Sequence, residues 1–393
     1  MSRDAPRARP KVQLVTEHWG READEAAAVT RLVAGALARS ADVEVVHLLP
    51  ETSRRETAAD SVFLVQRVPV EGARPLAAGV LRAALASFDG GRVVPESLRG
   101  VLEDYEGVAA GAEELITTGG ADAIVIAGHH QPYDLGVLRG FGSAPARRIV
   151  FLPMLSDPRR LTDRPVAQLV ELADVIGTLH PGETRAVTAA FPERARAVVP
   201  LDLALNLNRG ATTQGLFGVG WFGRFVVAIR RFPADGPRFS RSVTHEILRS
   251  VLPRVSVAEV DGLRWRITDA ENTVELPVNP TRVNLWRLMA HALVTVDLRP
   301  PGPLGREAIE SMMLGTPVVV PDASAAMEHA AAAAGGLWYR NSGELLRAVS
   351  ALMDGQLRYR LAAQGKQYAT ATHGQMGDFV SRITGLVLGA TAA

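Results

Sequence analysis

The sequence contains no cysteine among its 393 residues. This absence excludes a disulfide framework, thiolate zinc sites and cysteine nucleophiles, and it fits a reducing compartment, so we expect a cytoplasmic protein. No stretch reaches the roughly 20 apolar residues that cross a bilayer. The basic opening MSRDAPRARP leads into KVQLVTE without the apolar core of a signal peptide. We therefore predict no transmembrane segment and no secretory signal.

Net charge is almost absent as well, because 43 Lys and Arg residues offset 42 Asp and Glu residues and leave a formal charge of +1. Such a balance gives no overall attraction to nucleic acid or to an anionic membrane, so we expect no nucleic-acid partner, and any bound anion must be held by local geometry. The sequence also lacks H-E-x-x-H and Asp-x-Asp motifs. We expect no metal site and no resident cofactor.

Short apolar strands alternate with longer helical patterns throughout the chain. The first series contains KVQLVTE, a helix at about Glu22 to Arg39, VEVVHLL, ADAIVIAG, RRIVFLPML and ADVIGTLH. The alternation predicts an α/β fold in which helices cover both faces of a parallel sheet. Ligands of such sheets bind beyond the carboxyl ends of the strands.

A second series of the same kind follows the segment PLDLALNLNRGATTQGLFGVG, where Asn, Gly and Thr accumulate. It contains RFVVAIRR, VSVAEV, LVTVDL and TPVVVP, with helices near Ser242 to Val251, Arg282 to Ala292 and Arg306 to Leu314. We therefore predict two Rossmann-like domains, residues 1–205 and 206–375, facing a cleft that is the default ligand site.

The stretch DLRPPGPLGREAIESMMLGTPVVVPDAS carries the strongest functional signal. It predicts a helix that begins near Gly305 and stops at Gly315 before another strand. The first amides of a helix have no partners within it, and Gly302 and Gly305 allow a ligand to approach the backbone, so a diphosphate fits there. Glu310, in the second turn, either reaches ribose hydroxyls or is a solvated helix residue.

The segment GREAIESMMLGTPVVVPD resembles the E-A-M-A-x-G-x-P-V-V segment of the retaining nucleotide-sugar glycosyltransferases of family 4, which have the GT-B fold. GGLWYRNSGELLRAVSALMD and LHPGETRAVTAAFPERARAVVPLDL are similar to other parts of that family. The resemblance implies two Rossmann-like domains around a central cleft, with the donor in the second domain and the acceptor on the side of the first. It also implies that residues 376–393 form a helix crossing back to the first domain. Donor-binding residues implied at the helix start are Leu304, Gly305, Arg306 and Glu310.

Two positions depart from the family pattern. The first of its two glutamates falls on Gly302, and Glu307, one turn from Glu310, is the candidate replacement as a catalytic carboxylate.

The family also holds the diphosphate with an Arg and a Lys, which align with Arg230 and Asp235. Arg231 or Arg238 is then the candidate for the second positive charge, because guanidinium groups bind phosphate bidentately.

His129 and His130 directly follow the strand ADAIVIAG. The resemblance implies that one of them faces the donor sugar; the alternative is a buried histidine satisfied by backbone groups. Together with Asp134 they also resemble the H-H-x-x-x-D motif of coenzyme A acyltransferases, in which the second histidine, here His130, is the base. That family has a glycine after the aspartate, where this sequence has Leu135.

The sequence thus predicts a metal-independent, retaining glycosyltransferase that uses a nucleoside-diphosphate sugar. One alternative is a catalytically inactive binding or scaffolding subunit of the same fold, and another is an acyltransferase that uses His130. The base and sugar of the donor, the acceptor, whether small molecule, glycan or protein, and the oligomeric state are left open. His180 and Glu183 are interpreted as capping residues of a helix that begins with Pro181.

Overall fold

The computed structural model describes residues 9–16, 19, 25–49, 56–60, 63–69, 120–128, 148–155, 161, 164–205, 207, 225–231, 255–261, 264–268, 273–275, 281–299 and 302–389. All structural statements below refer to these residues.

The first sheet has eight strands in the order β3-β4-β2-β1-β5-β6-β7-β8. Every neighbouring pair is parallel except β3 and β4, which are antiparallel. Buried Val and Ile residues fill the central strands, as expected of a sheet covered on both faces. The strands are β1 (Lys11–Thr16), β2 (Asp42–Leu49), β3 (Glu56–Asp60), β4 (Phe63–Pro69), β5 (Ala123–Ala127), β6 (Arg148–Leu152), β7 (Val175–Thr178) and β8 (Val198–Pro200).

Helices α1 (Glu25–Leu37), α2 (Arg164–Leu172) and α3 (Pro181–Ala190) pack on this sheet, and a 3-10 helix (Pro192–Ala197) follows α3. In α1, Ala26, Val29, Val33 and Leu37 recur at helical spacing and are buried in one cluster with the side chains of β1 and β2. This packing fixes where the first residue of α1 lies relative to the carboxyl end of β1.

The second sheet has seven strands in the order β12-β11-β10-β9-β13-β14-β15. Five neighbouring strands are parallel to one another: β10, β9, β13, β14 and β15. Strands β11 and β12 extend the sheet beyond β10 in antiparallel pairs. The strands are β9 (Phe225–Arg231), β10 (Ser256–Asp261), β11 (Arg264–Thr268), β12 (Thr273–Glu275), β13 (Val294–Asp297), β14 (Val318–Pro321) and β15 (Gly336–Tyr339).

Six described helices belong to the second half of the chain. They are α4 (Arg282–His291), α5 (Arg306–Leu314), α6 (Ala325–Ala333), α7 (Ser342–Ala351), α8 (Gly355–His373) and α9 (Met376–Leu388). Helix α5 packs against α4, α6 and α8, while α9 packs against α1, β5 and β6 of the first half. Where the chain passes between the halves, Leu205 N donates to His373 O at 2.7 Å, and His373 Nδ1 donates to Leu203 O at 2.9 Å.

The predicted helix from Arg306 to Leu314 is confirmed, with Gly315 as its left-handed C-cap at φ 84°. The helix predicted at about Glu22 to Arg39 is described from Glu25 to Leu37. The strands β3, β4, β11 and β12, which form the antiparallel pairs of the two sheets, were not predicted. The helix expected near residues 242–251 lies outside the described part of the chain, and the domain boundary at residue 205 stays a prediction.

None of the helices in the described ranges combines the length and the apolar character that a bilayer crossing requires.

Candidate functional site

Helix α5 begins without a capping side chain of its own. Gly305, its N-cap, has φ +70° and makes no side-chain hydrogen bond to the helix. A Cβ atom on this residue would overlap the backbone of Ala326 at the start of α6. Glycine is required here both by the left-handed backbone and by the close approach of α6.

The first amides of α5 are instead bound by a carboxylate from the other domain. Glu25, the first residue of α1, accepts hydrogen bonds from Leu304 N at 3.2 Å and from Arg306 N at 2.5 Å. We call these two backbone amides the amide site. Removal from water raises the pKa of Glu25, and the negative charge of Glu307 raises it further.

Gly302 makes room for this arrangement. A Cβ atom on Gly302 would overlap Oε2 of Glu25, so any larger residue at this position would displace the carboxylate. Glu25 therefore lies beside Gly302, the position that aligns with the first glutamate of the family that the sequence resembles.

Glu307 and Glu310 are buried on α5 and paired with arginines. Glu307 binds Arg282 at 2.5 Å and also Arg299, while Glu310 binds Arg306 Nε at 2.7 Å and Arg282 at 3.3 Å. Burial alone would raise the pKa of Glu307, but the guanidinium groups of Arg299 and Arg282 hold it well below its usual range.

Arg299 follows β13 and is fixed by Asp297, the last residue of that strand. Its Nε and terminal nitrogen bind the two carboxylate oxygens of Asp297 at 2.9 and 2.7 Å. This bidentate geometry is the strongest form of the Arg–carboxylate pair. With Glu25 included, four described carboxylates, of Glu25, Asp297, Glu307 and Glu310, meet three guanidinium groups, of Arg282, Arg299 and Arg306.

The whole chain is similar to solved glycosyltransferase structures. An α,α-trehalose-phosphate synthase (UDP-forming) from Burkholderia vietnamiensis matches with a TM-score of 0.60 and 12% identity, over 95% of this chain and 98% of that one. Sucrose-phosphate synthase from Thermosynechococcus elongatus matches with a TM-score of 0.63 and 13% identity, over 96% and 98%. HepE of Anabaena in complex with UDP-glucose matches with a TM-score of 0.58 and 16% identity, over 95% and 98%.

This chain has the GT-B fold. Neither a protein-family model nor a curated protein sequence matches it.

Within this GT-B fold, five of the predicted site residues converge at the start of α5: Leu304, Gly305, Arg306, Glu307 and Glu310. Glu310 has no solvent-exposed surface and Glu307 is 2% exposed, so both carboxylates face arginines rather than the cleft. Their roles toward a ribose and as a catalytic carboxylate stay predictions.

The remaining predicted residues are placed only in part. The backbones of Arg230 and Arg231 end β9, the neighbour of β13, and Leu298 N donates to Ile229 O at 2.9 Å. Their side chains, together with His129, His130 and Arg238, lie outside the described residues, and their roles stay predictions.

A second contact between the GT-B domains lies at the start of α3. His180 caps this helix, because its Nδ1 accepts from Glu183 N at 3.2 Å, and Pro181 follows it, as predicted. The Glu183 carboxylate accepts from Leu155 N at 2.9 Å and from Leu179 N at 2.7 Å. Burial lowers the pKa of His180 to about 4, which keeps the ring neutral as an acceptor.

Glu328 of α6 reaches the same helix start from the other domain. It pairs with Arg185 at 2.5 Å and lies so close to Gly182 that a Cβ atom there would be 2.8 Å from its Cγ. Beside this contact, residues of β7, β8 and α3 line a cavity of about 270 Å³. Among the described residues, no group of three or more His, Asp or Glu side chains is arranged to hold a metal ion.

Proposed function

We propose that this chain is a retaining glycosyltransferase that moves a sugar from a nucleoside-diphosphate sugar to an acceptor, without a metal ion or a resident cofactor. Within the GT-B fold, the motif around Glu310 favours kinship with family 4. UDP-glucose is the first donor to test, because HepE was solved with UDP-glucose and the trehalose-phosphate synthase is UDP-forming.

The observation that carries this proposal is the amide site. Its two amides already bind one anionic group, the carboxylate of Glu25, at a helix start that has no capping side chain of its own. The partial positive charge of a helix N-terminus and its unpaired amides suit a phosphate equally well. A diphosphate bound there needs no net basic charge on the protein, in agreement with the formal charge of +1.

In this proposal the amides of Leu304 and Arg306 hold the diphosphate, and Glu310 reaches the ribose once its arginine partners rearrange. Arg230, aided by Arg231 or Arg238, neutralises the charge that develops on the departing nucleoside diphosphate, the stage at which preorganised donors accelerate transfer most.

The first domain binds the acceptor and supplies His129 or His130, and closure of the cleft excludes water. The cytoplasmic location expected from the absence of cysteine belongs to the same proposal.

Calorimetry with UDP, GDP and ADP tests the donor site, followed by an assay of UDP-glucose hydrolysis. We expect at least one nucleotide to bind, and we expect Arg306→Ala, which disturbs the start of α5, to weaken that binding about tenfold. Arg340→Ala is the matched control, because Arg340 is exposed and pairs only locally with Asp322 at 2.8 Å. No binding of any nucleotide would contradict the proposal.

A specific observation favours the scaffolding alternative. Gly302 and Asp235 replace two charged residues of the family pattern, and the buried carboxylates of Glu307 and Glu310 are already neutralised by partly buried arginines. A GT-B subunit of this kind binds the nucleotide and does not turn it over. Nucleotide binding without hydrolysis or transfer, across a panel of sugar donors and acceptors, would identify it.

A further inference from the structure

We propose that Glu25 is an intramolecular latch that occupies the amide site and must leave it before a diphosphate binds. The inference rests on the proposed function for the identity of the ligand. The latch adds autoinhibition to that function, because a residue of the opposite domain blocks donor binding. The absence of a side chain at Gly302 leaves the space that this residue needs.

The latch and the ligand use the same two hydrogen-bond donors. Leu304 N and Arg306 N both point to Glu25, which lies 279 and 281 positions away in the sequence. Each amide carries one hydrogen, so a phosphate oxygen takes this position only when the carboxylate is absent. Binding of the carboxylate and binding of a diphosphate are therefore mutually exclusive.

Charge sharpens this competition. With Glu25 in place, four described carboxylates surround three guanidinium groups, and the neighbourhood already holds an excess of negative charge. A diphosphate added to that arrangement would meet strong repulsion from Glu25 and Glu307. When Glu25 moves away, Asp297, Glu307 and Glu310 balance the three arginines, and the amide site is left to an external anion.

Glu25 is attached more weakly than the other carboxylates of this cluster. Glu307 and Glu310 bind guanidinium groups and are at most 2% exposed. Glu25 is only partly buried, and among the described residues it accepts hydrogen bonds from the two backbone amides, with the charge of Arg299 nearby. A carboxylate held in this way is released when the two domains separate, without breaking a hydrogen bond to a guanidinium group.

Gly302, in the opposite domain, packs closely against the Glu25 carboxylate. Its missing side chain leaves the space that Oε2 of Glu25 occupies, and even a methyl group there would overlap that oxygen. A Cβ atom at this position would therefore obstruct both Glu25 and a phosphate oxygen that takes its place.

The first test compares the affinities of wild type, Glu25→Gln and Glu25→Ala for inorganic pyrophosphate and for UDP by calorimetry. If the latch is closed in nine of ten molecules, its removal raises the apparent affinity about tenfold. We expect this gain in Glu25→Ala and a smaller one in Glu25→Gln, whose amide oxygen still accepts one hydrogen bond. Glu171→Ala is the control, since Glu171 is an exposed helix residue of the same domain.

The second test adds Gly302→Ala to Glu25→Ala. We expect the double variant to lose the gain in affinity, because the added Cβ atom lies where a phosphate oxygen would replace Oε2 of Glu25, and a double variant that binds as tightly as Glu25→Ala would show that the two anions do not share this position. Thermal melts show whether each variant folds. If Glu25→Ala does not fold, Glu25→Gln still tests the latch.

The outcomes separate the latch from the proposed function. UDP binding that is unchanged or weaker in both Glu25→Ala and Glu25→Gln would overturn the latch and leave the donor site standing. If wild type and all variants fail to bind UDP and pyrophosphate, both the latch and the donor site are wrong.

Discussion

Helices α3 and α5 both begin where the two domains meet, but their first residues are held in different ways. At α3, His180 accepts from Glu183 N, and the Glu183 carboxylate accepts from Leu155 N and Leu179 N, all within one domain. At α5, Gly305 provides no side chain, and the amides are bound by Glu25 of the other domain. Each start thus has a carboxylate that accepts two backbone amides.

The two carboxylates differ in the motion that would separate each of them from the amides that it binds. Glu183 is 1% exposed and belongs to the fold of its own domain, so its amides lose their acceptor only when that domain unfolds. Glu25 is partly exposed and joins two domains, so a rigid-body motion is sufficient. The comparison teaches that one helix start is held within its own domain and the other by a carboxylate of the opposite domain, which is what the latch proposal requires.

The largest expected effect comes from removing each carboxylate in turn. Glu183→Ala leaves two buried amides without an acceptor, which costs about 4 kcal/mol of unfolding free energy. Glu25→Ala costs only about 1 kcal/mol, because its two hydrogen bonds are only partly buried. Urea unfolding followed by circular dichroism measures both. Equal losses would show that Glu25 is as permanent as Glu183.

The pH dependence of stability sharpens the same comparison. Burial raises the pKa of Glu183 from 4.5 to about 7, although the amides of Leu155 and Leu179 act in the opposite direction. Because the folded chain keeps the proton longer than the unfolded chain, this contribution is fully present below pH 4.5 and is lost as the pH rises to about 7. The loss amounts to about 3 kcal/mol.

Glu183→Gln cannot ionise, so its unfolding free energy should lack that decline between pH 4.5 and 7. Urea titrations of wild type and variant at closely spaced pH values measure the difference. Parallel pH profiles would mean that Glu183 does not titrate in this range.

A smaller effect is expected from replacing Gly305, the glycine at the start of α5, with alanine. Gly305→Ala forces a side chain into a left-handed backbone at φ +70° and against Ala326, so we expect a loss of about 2 kcal/mol and weaker nucleotide binding.

The matched control for that substitution is Gly35→Ala, in α1, where a Cβ atom meets nothing within 4 Å. Alanine is the better helix former there, so the control should gain up to about 1 kcal/mol. Thermal melts measure both changes, and a Gly305→Ala variant as stable as the control would contradict the described start of α5.

The smallest effect is expected at Glu328, which also crosses between the domains. Its ion pair with Arg185 leaves the arginine side chain 65% exposed, so Glu328→Ala should cost less than about 1 kcal/mol and should leave nucleotide affinity unchanged. Differential scanning calorimetry and UDP titration measure the two quantities. A change in affinity comparable to that of Glu25→Ala would mean that the two contacts act as one unit.

Local signals predicted the parts of the fold that depend on neighbouring residues. The glycines before and after REAIESMML fixed the limits of α5, and Pro181 fixed the start of α3. The antiparallel pair of β10 and β11 had such a signal as well, because only Gly262 and Leu263 separate two runs of alternating apolar residues, and a first-position glycine is typical of a two-residue turn. That signal was missed in favour of a purely parallel sheet.

The composition of the candidate site depends on contacts between distant residues, and spacing does not reveal these. Arg282 and Arg299 come from α4 and from the end of β13, and Glu25 comes from the other domain. One general rule pointed toward Glu25: it opens the helix that follows β1, at the carboxyl edge where parallel sheets bind ligands. No property of the sequence alone indicated that its partner would be the start of α5.

The two passages of the chain between the domains are joined to each other, through Leu205 N and His373 O and through His373 and Leu203 O. A pair of adjacent crossings acts like a door hinge, so the domains can swing apart about this line but resist sliding past each other. In the latch proposal, a swing of this kind would separate Glu25 from both amides in one movement. The energy of that rotation, set by the hinge, would then add to the cost of admitting a nucleotide.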